Sequence, residues 1–510
     1  VEHAEAVVAV VRRSFDFLTL ILILLFIGCQ KMNNIDKTLS APLRIPINLK
    51  EIDGRSIVTT TDYQMLINLN LTLVTYDKDT NLVTLLAEDY DVQDKTIIFH
   101  LKKGVKTVSG HEIKAIDAEI SLKRVIAAKA SHSRLTELLC PDIENNHCSN
   151  IISNEYELKL IAQKKSYIPF ILSLLASADN VILPLTALDS SLPTSNIINF
   201  KETSGPYFIN HNKIEDKLLD YIELTVNPEH FLYNKNLSKK VTYTVISEDD
   251  LIQGKVLNKK FNYIHNVLSI LNQNIDKLNN SESNLNFFNT APIRNSMIFT
   301  TDSGKNNFSQ GDRLRHSLYL KSELLKYRDS YPNIRQLQVE FFSTGSDGSL
   351  RSDQLQTLLN KYSEILKSQP EKPSFVLGLF PSSLKRYGHL FNKNKNITMI
   401  ELTDESLLSK VDFYLDTIDS SIQESLDALE YNKNFGIFKV TDQEIKKYVD
   451  AESKPERIKI LQDIHLNSLM SGYCLNLGSS PYVTILSKEW HAEPSSVEVG
   501  FPVWKITKKN

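Results

Sequence analysis

Apolar and polar residues alternate with a period of two in several stretches of the chain, the pattern of half-buried strands. Leu71-Thr72-Leu73-Val74-Thr75-Tyr76 reads as a strand that stops at the turn Asp77-Lys78-Asp79. Ile97, Phe99 and Leu101 alternate with His100 and Lys102, and turns are expected at Gly104 and at Ser109-Gly110. Further strands are predicted at Tyr156 to Leu160, Val241 to Val245, Leu337 to Phe342 and Tyr482 to Leu486. Helical spacing places Ile113, Ile116 and Ile120 on one stripe, with Asp117 and Glu119 near the start where the helix dipole favours carboxylates. Helices are also predicted from Tyr167 through Leu175 and from Pro455, the latter carrying Ile458, Leu461 and Ile464. From about Leu251 to Pro370 the chain is expected to be helical, rich in Asn and Lys, and poor in strands. Strands and helices interleaved in this way indicate an α/β protein.

The first forty residues do not fit that pattern. Arg12 and Arg13 precede an apolar run, Phe17 to Ile27, that ends at Gly28-Cys29. A positive segment, a short apolar run and a small residue form the layout of a secretory signal. The run falls short of the about 20 residues that span a bilayer. Leu25-Phe26-Ile27-Gly28-Cys29 resembles a bacterial lipobox, in which the cysteine would be acylated and become the new N-terminus. A plain signal peptide and an uncleaved anchor are the alternatives. A start near Val10 or Val11 would give a tidier signal, because Glu2, His3 and Glu5 are unusual there. Residues 30–40 are polar and read as a tether.

Composition excludes more than it proposes. The 510 residues exceed one compact core and predict two or three lobes. A net charge of -3 supplies no field for nucleic acid. With 16 glycines, and no GxGxxG, Walker A, GxSxG or HExxH sequence, no phosphate loop, nucleophile elbow or zincin site is indicated. No catalytic residue, cofactor or metal is assigned, and an enzyme is not expected. Cys140 and Cys148 flank a short polar stretch and would either close a small disulfide loop in an oxidising compartment or remain free thiols. Cys474 is expected to be a buried small apolar residue.

One region carries a family likeness. Leu73-Val74-Thr75-Tyr76-Asp77, Leu85-Leu86-Ala87-Glu88-Asp89-Tyr90, Phe99-His100-Leu101-Lys102-Lys103-Gly104-Val105, Ser109-Gly110 and Ser121-Leu122-Lys123-Arg124 follow in order at close spacing. This block resembles the signature of the extracellular solute-binding proteins of the oligopeptide- and dipeptide-binding family, the substrate-binding lipoproteins of ABC importers (family 5). Thr203-Ser204-Gly205-Pro206-Tyr207, Arg313-Leu314-Arg315 and Glu456-Arg457 through Leu469 resemble later family segments.

The resemblance implies a class II periplasmic-binding-protein fold of the three-domain type, two lobes joined by two hinge crossings. Lobe 1 would comprise residues 41–60, 181–252 and 478–510, with an extra subdomain at 61–180; lobe 2 would be 253–477. It further implies a monomer held in the cell envelope by a lipid at Cys29, capturing a peptide or similar small solute between the lobes and passing it to a membrane permease. A divergent sensor or surface-binding protein is the alternative. In peptide-binding members a carboxylate of the second lobe meets the peptide amine, since an amine buried unpaired is unfavourable. The matching stretch here is Asp412 to Asp419, which makes Asp419 the equivalent residue, with Asp416 standing where the family has tryptophan. Ser204 and Tyr207 are candidates at the turn, with strand core the other reading for Tyr207. Tyr63 is a further candidate; Tyr63 and Tyr76 both stand between packing and ligand contact.

Overall fold

The computed structural model describes residues 38–509 apart from 44, 58, 80, 129–133, 141–147, 211–216, 247–260, 265–284, 290–293, 327–338, 343–345, 369–373, 393, 420–425, 427–428, 430–432, 434–435, 481–482 and 493–500. The signal segment, Cys29 and most of the tether lie outside the described residues. The strand Thr38–Leu43 buries every second side chain, Leu39, Ala41 and Leu43. It runs parallel to Lys240–Val245, with Leu39 opposite Val241 and Ala41 opposite Tyr243. Residues 38–40, expected in the tether, are therefore paired in a sheet. Tyr221–Val226 and Tyr207–Ile209 complete this four-stranded layer in antiparallel order.

The helix Thr60–Leu69 packs on that layer through Met65, Leu66 and Leu69. It starts sharply because Thr59 and Asp62 form a reciprocal capping box. The C-terminal segment returns to the same core: Trp490, Phe501, Val503 and Ile506 are buried in it. Two helix amides hold the returning backbone. Gln64 exchanges hydrogen bonds with Phe501, and Asn68 accepts one from the Val503 N–H.

A second antiparallel sheet, Ala87–Gln93, Thr96–Leu101, Glu157–Ile161 and Ile151–Asn154, is covered by the helix Ala115–Ala127. The turn after the strand Thr96–Leu101 needs Gly104, whose φ is +74°. Ile113 and Ile120 are buried, but Ile116 is exposed. The predicted stripe is corrected: the helix begins at Ala115, and Ala118, Leu122 and Ile126 form its inner face. Glu202 ties this layer to the first, accepting hydrogen bonds from Thr107, Ser109 and Thr186.

Cys140 and Cys148 are joined by a disulfide, with their Cα atoms 5.1 Å apart. The closed loop is short, so its chain-entropy contribution is about 2–3 kcal/mol. Reduction is expected to lower the urea midpoint correspondingly; an unmoved midpoint under reductant would contradict the contribution. Cys474 is a free thiol, fully buried.

The remaining sheet has five strands in the order Ile397–Glu401, Phe375–Leu379, Phe413–Asp419, Arg294–Thr300 and Cys474–Ser480. Helices Gln310–Leu325, Ser352–Lys367, Pro381–Phe391 and Lys454–Ser471 accompany it. Here the expectation of a strand-poor region fails. Arg294–Thr300 has neighbours on both sides, and residues 295–300 are all buried. A strand covered on both faces loses its alternation, and Asn295, bonded to Asn476 in the adjacent strand, breaks the apolar run. Conversely, the described part of the predicted strand Leu337–Phe342 is not a strand. Phe341 is instead buried against Phe438 and His465, and its N–H donates to His465 Nε2 at 3.0 Å. A three-stranded ribbon, Tyr263–Ile264, Val483–Ser487 and Leu285–Asn289, lies where the chain leaves the first core and comes back to it.

Candidate functional site

A small pocket of about 30 Å³ lies where the helix Thr60–Leu69, the segment that follows it and the C-terminal return meet. Residues one helical turn apart share a face, so Tyr63 and Ile67 both line it while Gln64 and Asn68 face the returning backbone. Trp504 forms another wall. Its indole N–H donates to the Ile67 carbonyl at 3.2 Å, which fixes the plane of the ring. Tyr76 contributes a third aromatic, its hydroxyl held 2.7 Å from Ser173 Oγ. Asn70, Thr72 and Thr75 supply polar but uncharged surface. Thr72 donates to the Val74 carbonyl at 2.6 Å, and the Asn70 side-chain oxygen accepts from the Ser204 N–H at 3.2 Å.

Ser204 does not line this pocket; it braces the wall. Its hydroxyl donates to the Ile182 carbonyl and accepts from the Leu71 N–H at 2.9 Å, joining two segments that carry lining residues. Gly205 next to it packs so closely that an added Cβ would lie 2.7 Å from the Leu69 carbonyl oxygen. Tyr207 is fully buried in its strand and donates to the Ser238 carbonyl at 2.8 Å; of the two readings, the structure places it in strand core. Burial pushes its phenol far above the ordinary range. His230 supports the same turn, with Nε2 3.0 Å from the Ser204 carbonyl and Nδ1 accepting from the Leu232 N–H at 3.2 Å.

Asp416 and Asp419 lie elsewhere, on the strand Phe413–Asp419, opposite Met297 and Arg294. The Asp416 side chain is exposed; that of Asp419 is outside the described set. Neither is among the pocket's described lining residues, all of which come from outside 253–477. Of the residues weighed from sequence, Tyr63 and Tyr76 are part of it. Trp504, Asn70, Thr72 and Pro502 were not singled out. Trp504 carried one signal, being one of only two tryptophans in the chain.

No family model and no curated protein matches the sequence. Solved structures match over nearly all of the described fold. A dipeptide binding protein from Pseudoalteromonas sp. SM9913 in complex with Met-Leu is 12% identical, with a TM-score of 0.69 over 92% of this chain and 100% of its own. The periplasmic oligopeptide-binding protein of an oligopeptide ABC transporter, OppAIV from Borrelia burgdorferi, is 14% identical, with a TM-score of 0.68 over 92% and 100%. NikA from Staphylococcus aureus in complex with Ni(L-His)2 is 16% identical, with a TM-score of 0.66 over 92% and 100%. The chain shares their fold, the two-lobed α/β architecture of periplasmic binding proteins.

Proposed function

We propose that this chain is the solute-binding component of an ABC importer and that its cargo is a peptide. The shared fold over nine-tenths of the chain carries the binding-protein part of the reading. Fold alone does not choose the cargo, since proteins of this architecture hold Met-Leu in one structure and Ni(L-His)2 in another. Two of the structures it resembles are named for dipeptide and oligopeptide binding, and the described pocket wall offers three aromatic rings and three neutral polar side chains, the mixed surface a peptide meets.

In this reading residues 41–60, 181–252 and 478–510 form lobe 1 with 61–180 as its extra subdomain, and 253–477 form lobe 2. Asp416 and Asp419, on lobe 2, meet the peptide amine when the lobes close, and closure follows from tighter binding to the closed state. Tyr63 contacts the ligand from lobe 1. The Cys140–Cys148 disulfide suits an oxidising cell envelope, and a lipid on Cys29 holds the monomer at the membrane beside its permease. The protein acts by binding, not by catalysis.

A peptide at about a hundred times its Kd stabilises the native state by about 2.7 kcal/mol. Purified protein is therefore expected to melt several degrees higher with a pool of short peptides. No shift with any pool, or a shift with nickel and histidine alone, would defeat the peptide assignment.

A further inference from the structure

Only eight residues separate Cys29 from Thr38, where the first strand begins. Fully extended, that span reaches about 30 Å, so a lipid on Cys29 keeps the strand's start within this distance of the bilayer. Hydrogen bonds gather several segments around that start. Thr38 lies opposite Lys240, and the Leu39 N–H donates to Ser238 Oγ at 3.0 Å. The Asn262 side chain donates to the Thr38 carbonyl at 2.8 Å and accepts from the Ser40 N–H at 2.7 Å. Its backbone carbonyl accepts the Ser487 N–H, which brings in Lys488 and Glu489. Leu237 is bridged to Thr507, the Lys508 N–H donates to the Asn236 carbonyl, and the Lys509 N–H donates to the Glu489 carbonyl.

These segments are rich in lysine. Lys235, Lys239, Lys240, Lys488 and Lys509 are exposed, and Lys508 is half-buried. The described carboxylates beside them are Glu223, Glu229 and Glu489. Lys240 Nζ lies 2.9 Å from Glu223, and Lys508 Nζ lies 3.7 Å from Glu489. Six lysines thus stand against three carboxylates among the described residues here, in a chain whose net charge is -3. We infer that this lysine-rich end is a docking surface for the anionic lipid headgroups of the membrane that carries the anchor, an inference that rests on the lipid at Cys29 proposed above. Lysine clusters held beside a membrane are drawn to anionic lipid, but the attraction fades within a Debye length, about 8 Å at physiological salt. The short span from Cys29 supplies the nearness that this attraction needs. Lipid and lysines then act as two linked attachments, and the body meets the membrane by this end.

The test uses the protein expressed from its full sequence and purified from membranes, with the mass of its N-terminal peptide recorded. It is reconstituted into vesicles of phosphatidylcholine alone or of an equal mixture with phosphatidylglycerol. Asn234→Cys gives an exposed site for a fluorophore beside Lys235, since Cys140 and Cys148 are bonded to each other and Cys474 is buried. Energy transfer to an acceptor on the headgroups reports how near this end lies to the membrane. At low salt, transfer is expected to be about twofold or more higher on the mixed vesicles. The excess should vanish at about 1 M salt, where the Debye length is about 3 Å. Lys239→Gln, Lys240→Gln, Lys488→Gln and Lys509→Gln together should abolish it. Lys361→Gln, Lys367→Gln, Lys447→Gln and Lys459→Gln, exposed on the helices Ser352–Lys367, Asp442–Asp450 and Lys454–Ser471, should leave it unchanged. The vesicles hold no permease, so an excess on them belongs to lipid. Equal transfer on both kinds of vesicle, or an equal loss with either set of substitutions, overturns the inference; an N-terminal peptide carrying lipid then leaves the anchor reading standing. An unmodified Cys29 overturns the anchor reading and the inference with it.

Discussion

Asp53→Ala is expected to destabilise the fold by about 3–5 kcal/mol, the loss typical when one partner of a buried ion pair is removed. Arg124 is 1% exposed and Asp53 5%. The guanidinium donates to Asp53 Oδ2 at 2.8 Å and to the Ser195 carbonyl at 3.0 Å. Arg55 shares the same carboxylate through Nε at 3.0 Å and a terminal nitrogen at 2.8 Å. Without Asp53, Arg124 is a buried cation with no carboxylate bonded to it. Against a usual total of about 5–15 kcal/mol, the loss is large. The pair also joins two layers, since Arg124 rides on the helix covering the second sheet while Asp53 belongs to the first core's entry loop. Urea denaturation measures the loss, and Asp53→Ala with Arg124→Met should recover most of it. A loss below about 1 kcal/mol, the range of exposed pairs, would show that the network is not buried in the working molecule.

The second large effect is with acid. His230 and His465 are buried, and both ring nitrogens of each are engaged with backbone groups. In each ring one nitrogen accepts from a backbone N–H, Leu232 for His230 and Phe341 for His465, so the neutral imidazole is the form that fits. Burial pushes both down to about 4 from an ordinary 6.5. Between those values the unfolded chain binds more protons than the folded one, so stability falls as pH falls. The contribution is fully present above pH 6.5 and is lost on approaching pH 4. At 1.36 kcal/mol per unit, each histidine accounts for roughly 3 kcal/mol of that loss. Urea midpoints taken from pH 7.5 to 3.5 should fall steeply through this window. His465→Gln and His230→Asn, which keep a donor and an acceptor without a titratable ring, should each flatten the slope by one proton. A stability flat from pH 7 to 4 would contradict both assignments.

His465 also shows why part of the fold was hidden in the sequence. It sits on the helix Lys454–Ser471 and holds Phe341 and Gly348, residues more than a hundred positions away. The alternation of Leu337, Val339 and Phe341 suggested a strand, yet the described backbone there is shaped by that histidine and by Asn476, which donates to the Glu340 carbonyl. Local periodicity reports burial, and burial can be met without a ladder. The error at Arg294–Thr300 is the converse: a real strand, buried on both faces, carries no alternation to read.

The pocket was the least legible part. The turn Thr203 to Tyr207 stood out as a motif, and the structure gives its rigidity a purpose in bracing Asn70, Leu71 and Ile182. What touches the cavity comes from positions near 63–85, 176–181 and 502–504. No pattern within a window of the chain relates residues so far apart.

The sequence by itself determined three strands of the first two layers, Thr96–Leu101, Glu157–Ile161 and Lys240–Val245, because alternation at period two states which side of a strand is covered. It also determined the helix read from Pro455, observed as Lys454–Ser471, and the burial of Cys474. Only the tertiary structure decided that Tyr63, Tyr76 and Trp504 share one pocket, because three separate segments are brought together there by packing and by hydrogen bonds to backbone.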